Sequence, residues 1–293
     1  MKLIKQSFEI LDQQCGLEGI YKQIEISGRT CYKSEDKITE DSAKEFVDRM
    51  IKSGHGAMLE HGTVYLAMPV ETMLPIEANG WGKYTKNPYS KGFKVCNVNG
   101  QKRVAITTNF RVLVENGWLD DLQYICEPTE YHEKRITVKF ITDQGILREF
   151  TRHRVFSFAV ESTRYCNYTK DKFSNEVTFI QPNWISDEDI ENYHTNFNYF
   201  IDQDANHIAA VDRFMSALKG AEYFYMELIR LGWKPQQARN ILPLATKCDM
   251  VMTGFVSDWK HFFELRDAAS AHPQAQELAH SLHEAFIQRG LVE

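Results

Sequence analysis

Hydrophobic positions along the chain recur with two periods. Residues 2–10 and Arg135–Thr142 alternate apolar and polar side chains, while Val64–Met68, Val177–Ile180 and Cys248–Val256 are short apolar runs. These predict strands. Helical spacing appears at Phe46, Val47, Met50 and Ile51, giving a helix over 42–53 that Asp41-Ser42 starts and Gly54 stops. Ile146, Leu147 and Phe150 share one face of a helix capped by Asp143, which ends in Arg152-His153-Arg154, and the short, polar and aromatic residues after it suit a loop that turns back towards the helix end. A short helix is predicted over 16–27, ending near Ser27-Gly28, with a polar loop over Arg29–Ser34. Further helices are predicted over 187–201 and 204–231, after Pro235, after Ser257 as cap, and around Ala275-Gln276-Glu277. In the long one, Ile208, Val211, Met215, Leu218, Ala221, Tyr225, Leu228 and Leu231 trace one face. Such a stripe points to core or a subunit contact rather than to a cofactor box.

Residues 71–131 interrupt this order. Pro75, Gly80, Gly82, Pro88 and Gly92 break the first part. Then 93–98 faces 103–107 across Asn99-Gly100, a hairpin signal. Asn109 caps a short helix through Val114, and 119–126 form another. The whole reads as α+β: a small, mostly antiparallel sheet with helices and a helical C-terminal half. Residues 1–293 form a single domain with a probable insertion at about 71–131.

Composition narrows the function. The 293 residues are 43% hydrophobic and 12% aromatic, as in a folded soluble protein. A net charge of −6 argues against a general nucleic-acid binder, so any anion site must be a local cluster of cations. No run reaches the ~18 apolar residues of a membrane span, and no signal peptide is read at the N-terminus. The six cysteines are scattered without C-x-x-C, which suggests reduced thiols and a cytoplasmic protein.

Two stretches carry candidate chemistry. Arg152-His153-Arg154 is followed, after seven residues, by Ser162, one spacer and Arg164, so three arginines, a histidine and a hydroxyl converge on one anion or form a solvated basic helix end. In His55–Thr63, two histidines and a glutamate suggest a metal, but His55 and His61 are six apart and lack i, i+4 ligand spacing. A histidine satisfying loop backbone is the plainer reading, and no metal is expected.

The spacing of Arg152, His153, Arg154, Ser162 and Arg164 resembles the signature of the flavin-dependent thymidylate synthases. Gly-His and Glu-His followed by Thr63, Ala238-Arg239 before Leu242-Pro243, and His261-Phe262 with Leu265-Arg266 and Ala275-Gln276-Glu277 resemble its other motifs, in order. The resemblance implies one intertwined domain per subunit in a homotetramer that carries FAD, with sites assembled from several subunits. It implies conversion of dUMP to dTMP with methylenetetrahydrofolate as one-carbon donor and NADPH as source of the hydride, so dUMP and folate are the expected partners. It assigns Arg266 and Ser162 to catalysis and Arg152, Ser162, Arg164, Arg239 and Arg266 to dUMP. To FAD it assigns His61, Thr63, Arg152, His153, Arg154 and His261. Three positions depart from the pattern: Glu149 for a glutamine, Ala159-Val160 for Asn-Glu with the acid displaced to Glu161, and Phe255 for an asparagine. The alternatives are another nucleotide-binding enzyme, of deaminase or phosphohydrolase type, or a non-catalytic nucleotide-binding module. The deaminase pairing of H-x-E with P-C-x-x-C is absent.

Overall fold

The computed structural model describes residues 1–73, 81–98, 100–164, 166–193 and 207–293. Its strands are β1 (Lys2–Ile4), β2 (Ser7–Leu11), β3 (Thr63–Pro69), β4 (Lys91–Val98), β5 (Gln101–Asn109), β6 (Arg135–Asp143), β7 (Ser157–Val160), β8 (Thr178–Ile180) and β9 (Lys247–Phe255). Its helices are α1 (Gly16–Tyr32), α2 (Ser42–Lys52), α3 (Gly56–Leu59), α4 (Gly82–Thr85), α5 (Phe110–Asn116), α6 (Gln144–Phe150), α7 (Asp187–Glu191), α8 (His207–Arg230), α9 (Pro235–Ala238), α10 (Val256–Arg266) and α11 (Pro273–Gln288).

The α+β class holds, but the strands divide among three sheets. An antiparallel sheet in the order β2-β6-β9-β7 lies at the centre, β3-β5-β4 forms a second, and β1 pairs parallel with β8. The expected first strand is therefore two. The chain breaks at Lys5-Gln6, where the Gln6 amide donates to the Gln274 carbonyl, and its halves join different sheets. The hairpin forms with Val98 opposite Gln101, and β5 also pairs with β3. Two strands of the presumed insertion thus complete a sheet with a strand outside it.

Three apolar clusters follow from these sheets. Phe140 of β6, Phe150 of α6, Trp259 and Phe262 of α10 and Phe286 of α11 fill the first. Ile24, Phe46, Leu66, Ile106 and Phe110 fill the second, under the three-stranded sheet. Leu218 and Tyr225 of α8 meet Val177 and Phe179 in the third. Burial of each such side chain stabilises by about 1.5–3 kcal/mol.

Several boundaries differ from expectation. Helix α1 does not stop at Gly28 but continues through the predicted polar loop to Tyr32. Its last turn is held by an Arg29–Glu25 pair at 2.7 Å and by Thr30 donating to the Ile26 carbonyl. Gly28 is inside because the Phe46 ring lies where a side chain would stand. Helix α6 ends at Phe150, so Arg152-His153-Arg154 lies beyond it in turns. The segment after it is the edge strand β7, not a loop, because Ser157 and Ala159 turn inward against β9. The residues from 119 form a 3-10 helix, Leu119–Tyr124. Phe255, not Ser257, sits at the N-cap of α10. The helix predicted over 187–201 ends at Glu191, and residues 194–206 lie outside the described residues. Asn109 and Asp143 cap as predicted, accepting from the amides of Val112 and Ile146.

Candidate active site

Arg266 closes α10, and three acceptors fix its guanidinium. Nε donates to His153 Nε2 at 3.0 Å, Nη1 to the Glu149 carboxylate at 2.7 Å, and Nη2 to the Glu149 carbonyl at 2.8 Å. An arginine only donates. His153 Nε2 therefore carries the lone pair, and the neutral ring has its proton on Nδ1. Burial first, then the charges of Arg266 and His261, lowers the His153 pKa to about 4. Around this buried ring, Arg152, Arg154 and His261 are exposed. The motif's position is set from below by Phe156, whose ring packs on Trp259 and over Gly254 of β9, closer than a β-carbon there would allow.

A second group forms where the chain leaves β7. The Ser162 amide donates to the Cys31 carbonyl, while its hydroxyl makes no hydrogen bond among the described residues. Arg239 Nη1 donates to Thr163 Oγ1 at 3.0 Å. Arg239, Thr163, Gln144 and Arg148 line a 310 Å³ cleft whose wall holds two arginines and no carboxylate. Arg148 escaped the sequence reading. Its only signal was its place four residues before Arg152, in the helix that leads to the motif. Arg164 is exposed.

The third group is interior. His61 is fully buried, and its Nδ1 lies 2.8 Å from Thr253 Oγ1. Burial first, then Arg135, lowers its pKa to about 3, and the Phe158 backbone opposes them. Nε2 has no hydrogen-bond partner among the described residues. Thr63 is 3% exposed and its hydroxyl accepts from Arg135 at 3.3 Å. The structure thus gathers Arg152, His153, Arg154, His261 and Arg266 at one corner and Ser162, Arg164 and Arg239 at another, with His61 and Thr63 under the surface.

Residues 128–289 match the model of the family described as thymidylate synthase complementing protein, more than half of the chain. The chain belongs to that family. Curated relatives include a probable flavin-dependent thymidylate synthase of Paramecium bursaria Chlorella virus 1, 26% identical over 152 residues, which are 52% of this chain and 66% of the relative. The flavin-dependent thymidylate synthase of Haloarcula marismortui is 26% identical over 162 residues, 54% of this chain and 64% of the relative. The matched stretch thus spans just under two thirds of these relatives. A solved structure of a UMP/dUMP methylase, PolB from Streptomyces cacaoi bound with 5-Br dUMP, superposes with a TM-score of 0.44 at 17% identity, over 98% of this chain and 93% of that one.

The displaced acid has its partners inside the fold. Glu161 is buried and accepts from Lys247 at 2.8 Å and from the Asp249 amide at 3.1 Å. Lys33 and Lys139 complete a cluster with Glu35 and Asp249. Both oxygens of Glu161 are engaged inside the protein, since its other oxygen accepts from the Cys166 thiol at 3.5 Å. Phe255, where an asparagine was expected, instead lies under two cations, Lys91 at 4.4 Å and Arg135 at 5.5 Å from its ring centre.

Proposed function

We propose that this protein is a flavin-dependent thymidylate synthase, converting dUMP to dTMP with methylenetetrahydrofolate as one-carbon donor and FAD reduced by NADPH. The observation that carries the reading is the fixed guanidinium of Arg266 beside the Arg152-His153-Arg154 cluster. The exposed Arg152, Arg154 and His261 side chains around the neutral His153 fit the phosphates and polar edge of FAD. His61 and Thr63 fit less directly, since both are buried, although the unpartnered Nε2 of His61 leaves one acceptor or donor to be met. Bound FAD supplies the hydride that completes the methyl group.

The protein's own residues bind and polarise the nucleotide. Arg239 and Arg148, free of carboxylates in their cleft, suit its phosphate, with Arg152, Ser162 and Arg164 as further contacts. Uracil C5 becomes nucleophilic as negative charge builds on N3, O2 and O4. A guanidinium held in one plane before that charge appears stabilises it without reorganising. Arg266 is held in this way, by three acceptors. No side chain is needed as nucleophile. Cys166 is 1% exposed, and no base accepts the Ser162 proton among the described residues.

A homotetramer is part of the proposal. The buried face of α8 (Val211, Met215, Leu218 and Tyr225) is used within the chain, while Tyr223, Phe224, Leu231 and Trp233 are between 48% and 67% exposed. Exposed apolar surface of this kind suits association. The test is dTMP formation by the purified protein, with FAD, NADPH, methylenetetrahydrofolate and dUMP each withheld in turn. Dependence on all four is expected. A colourless protein that binds no added FAD and makes no dTMP overturns the reading.

A further inference from the structure

A 410 Å³ cavity opens between the end of β2, the start of α1, the first residues of β6 and the end of α11. That volume lies within the roughly 300–1,000 Å³ of ordinary ligand sites. Its wall carries Lys134, Arg135 and Arg289 against one acid, Asp12, so it is cationic by two charges on a protein of net charge −6. The Ile20, Tyr65, Ile125 and Ile136 side chains supply an apolar remainder.

Arg135 is the informative residue. It is 9% exposed, and its guanidinium donates only to neutral oxygens: the Glu60 carbonyl at 3.0 Å, Thr63 Oγ1 at 3.3 Å and Ser157 Oγ at 3.5 Å. No ion pair to Arg135 forms among the described residues, and none of these bonds uses Nε. A buried cation without a counter-ion is strongly destabilising unless an anion meets it. By contrast Arg289 at the rim already has Asp12 at 2.7 Å. Glu60 and Asp258 act on Arg135 from beyond contact and the Phe255 ring lies 5.5 Å from it, so the charge without a contacting counter-ion is deep in the cavity and the paired one is at its mouth.

We infer that this cavity binds a small organic anion, its phosphate or carboxylate against Arg135 and Lys134 and its apolar body against the isoleucines and Tyr65. The inference needs neither flavin nor dUMP, although Thr63 lies in the same wall. It is tested by calorimetric titration of the full-length protein with phenyl phosphate, benzoate and inorganic phosphate, with and without saturating FAD. Phenyl phosphate or benzoate should bind more tightly than inorganic phosphate, more weakly at high salt, and equally well with FAD present. The preferred anion group identifies the ligand class. Arg135→Gln, which keeps a donor but removes the charge, should weaken the better organic anion about tenfold or more. Should that variant fail to fold, Lys134→Ala decides, with a loss of about threefold expected for an exposed cation. Arg289→Ala at the mouth should change affinity less than either. Binding that is absent at millimolar concentration, indifferent to the cation substitutions, or abolished by saturating FAD overturns a separate anion site.

Discussion

Two charged clusters, one holding Glu161 just after β7 and one holding Arg152-His153-Arg154 just before it, differ in how completely they are neutralised. In the first, Lys33, Lys139 and Lys247 face Glu35, Glu161 and Asp249, three against three, with the Glu161 and Asp249 side chains 1% and 4% exposed. In the second, Arg152, Arg154 and Arg266 share a corner with two carboxylates, Glu149 on Arg266 and Glu264 on His261. The balanced cluster joins α1 to β9 and the end of β7, and has no charge left for a ligand. The unbalanced one keeps a surplus of cations at the surface around a neutral histidine. Equality of charge marks the cluster that holds the fold together, and surplus marks the one prepared for an anion.

The largest effect should come from breaking the balance. Asp249→Ala removes the buried carboxylate that Lys33 and Lys247 share and leaves three lysines against Glu35 and Glu161, which should cost about 3–5 kcal/mol by denaturant unfolding. Burial works to raise the Asp249 pKa, but Lys247 and Lys33 outweigh it and hold it below the usual value of 3.8. A depressed carboxylate pKa gives stability that is present above the unfolded value and lost as pH falls through the folded one. Stability of the native protein should therefore decline below about pH 4, and the Asp249→Ala protein should lack this part of the decline. An acid limb unchanged between the two proteins would remove Asp249 as its source.

Next in size is Arg266→Ala, for which turnover in dTMP formation should fall on the order of 10²-fold, more than dUMP affinity does. Arg266→Lys should recover little, since one ammonium cannot meet a carboxylate, a carbonyl and a ring nitrogen in one plane. The same alanine variant should let the His153 pKa rise from about 4 toward the ordinary 6.5, measured by NMR titration of the ring. In the native protein, where His153 is neutral above that value, no inflection in rate between pH 5 and 8 should trace to this ring. Equal losses in turnover and affinity would make Arg266 a uniform binding contact instead.

Glu149→Gln sharpens the comparison with a smaller step. It increases the surplus at the corner while keeping an acceptor for Arg266, so dUMP affinity should improve a few-fold, on the order of 1 kcal/mol or less. Weaker binding at unchanged fold would show that positioning by the carboxylate outweighs the charge. The smallest effect is expected from Cys166→Ala, which should keep most activity, because the thiol is buried and its hydrogen bond goes to the already engaged Glu161. A folded but inactive variant, or a nucleotide trapped on the sulfur, would contradict the absence of a nucleophile.

How much of this was legible in the sequence depends on range. Local signals held in part: Asn109 and Asp143 cap their helices, and Phe46, Val47 and Met50 of α2 and Val211, Met215, Leu218 and Tyr225 of α8 are buried, while Ile51 and Leu231 on the predicted faces are exposed. Boundaries set by distant contacts did not. Gly28 reads as a stop, yet Phe46, eighteen residues on, fits over it and α1 continues. Strand β7 reads as a polar loop because its partner β9 begins almost ninety residues later. At the site, the motif spacing named Arg266 and His153, but not the Glu149 contact that fixes Arg266, nor Arg148, which lines the same cleft as Arg239. Exposure was least legible of all. Nothing in the string Glu60-His61-Gly62-Thr63 says that its histidine is fully enclosed.

Gly254 carries no charge, touches no ligand and has no polar side chain, yet it limits what the neighbouring loop is able to become. Phe156 rests in the space its missing side chain leaves, and the backbone between Phe156 and His153 is one turn, closed by the Phe156 amide on the His153 carbonyl. A methyl at position 254 would lift that ring, and with it the turn that presents Arg154. The ring could not simply sink elsewhere, for Trp259 and Phe262 already pack against it. The latitude of the arginine motif, in a natural lineage or in a redesigned enzyme, is therefore governed from a strand a hundred residues away. Varying the motif alone explores fewer geometries than varying it together with positions 156 and 254.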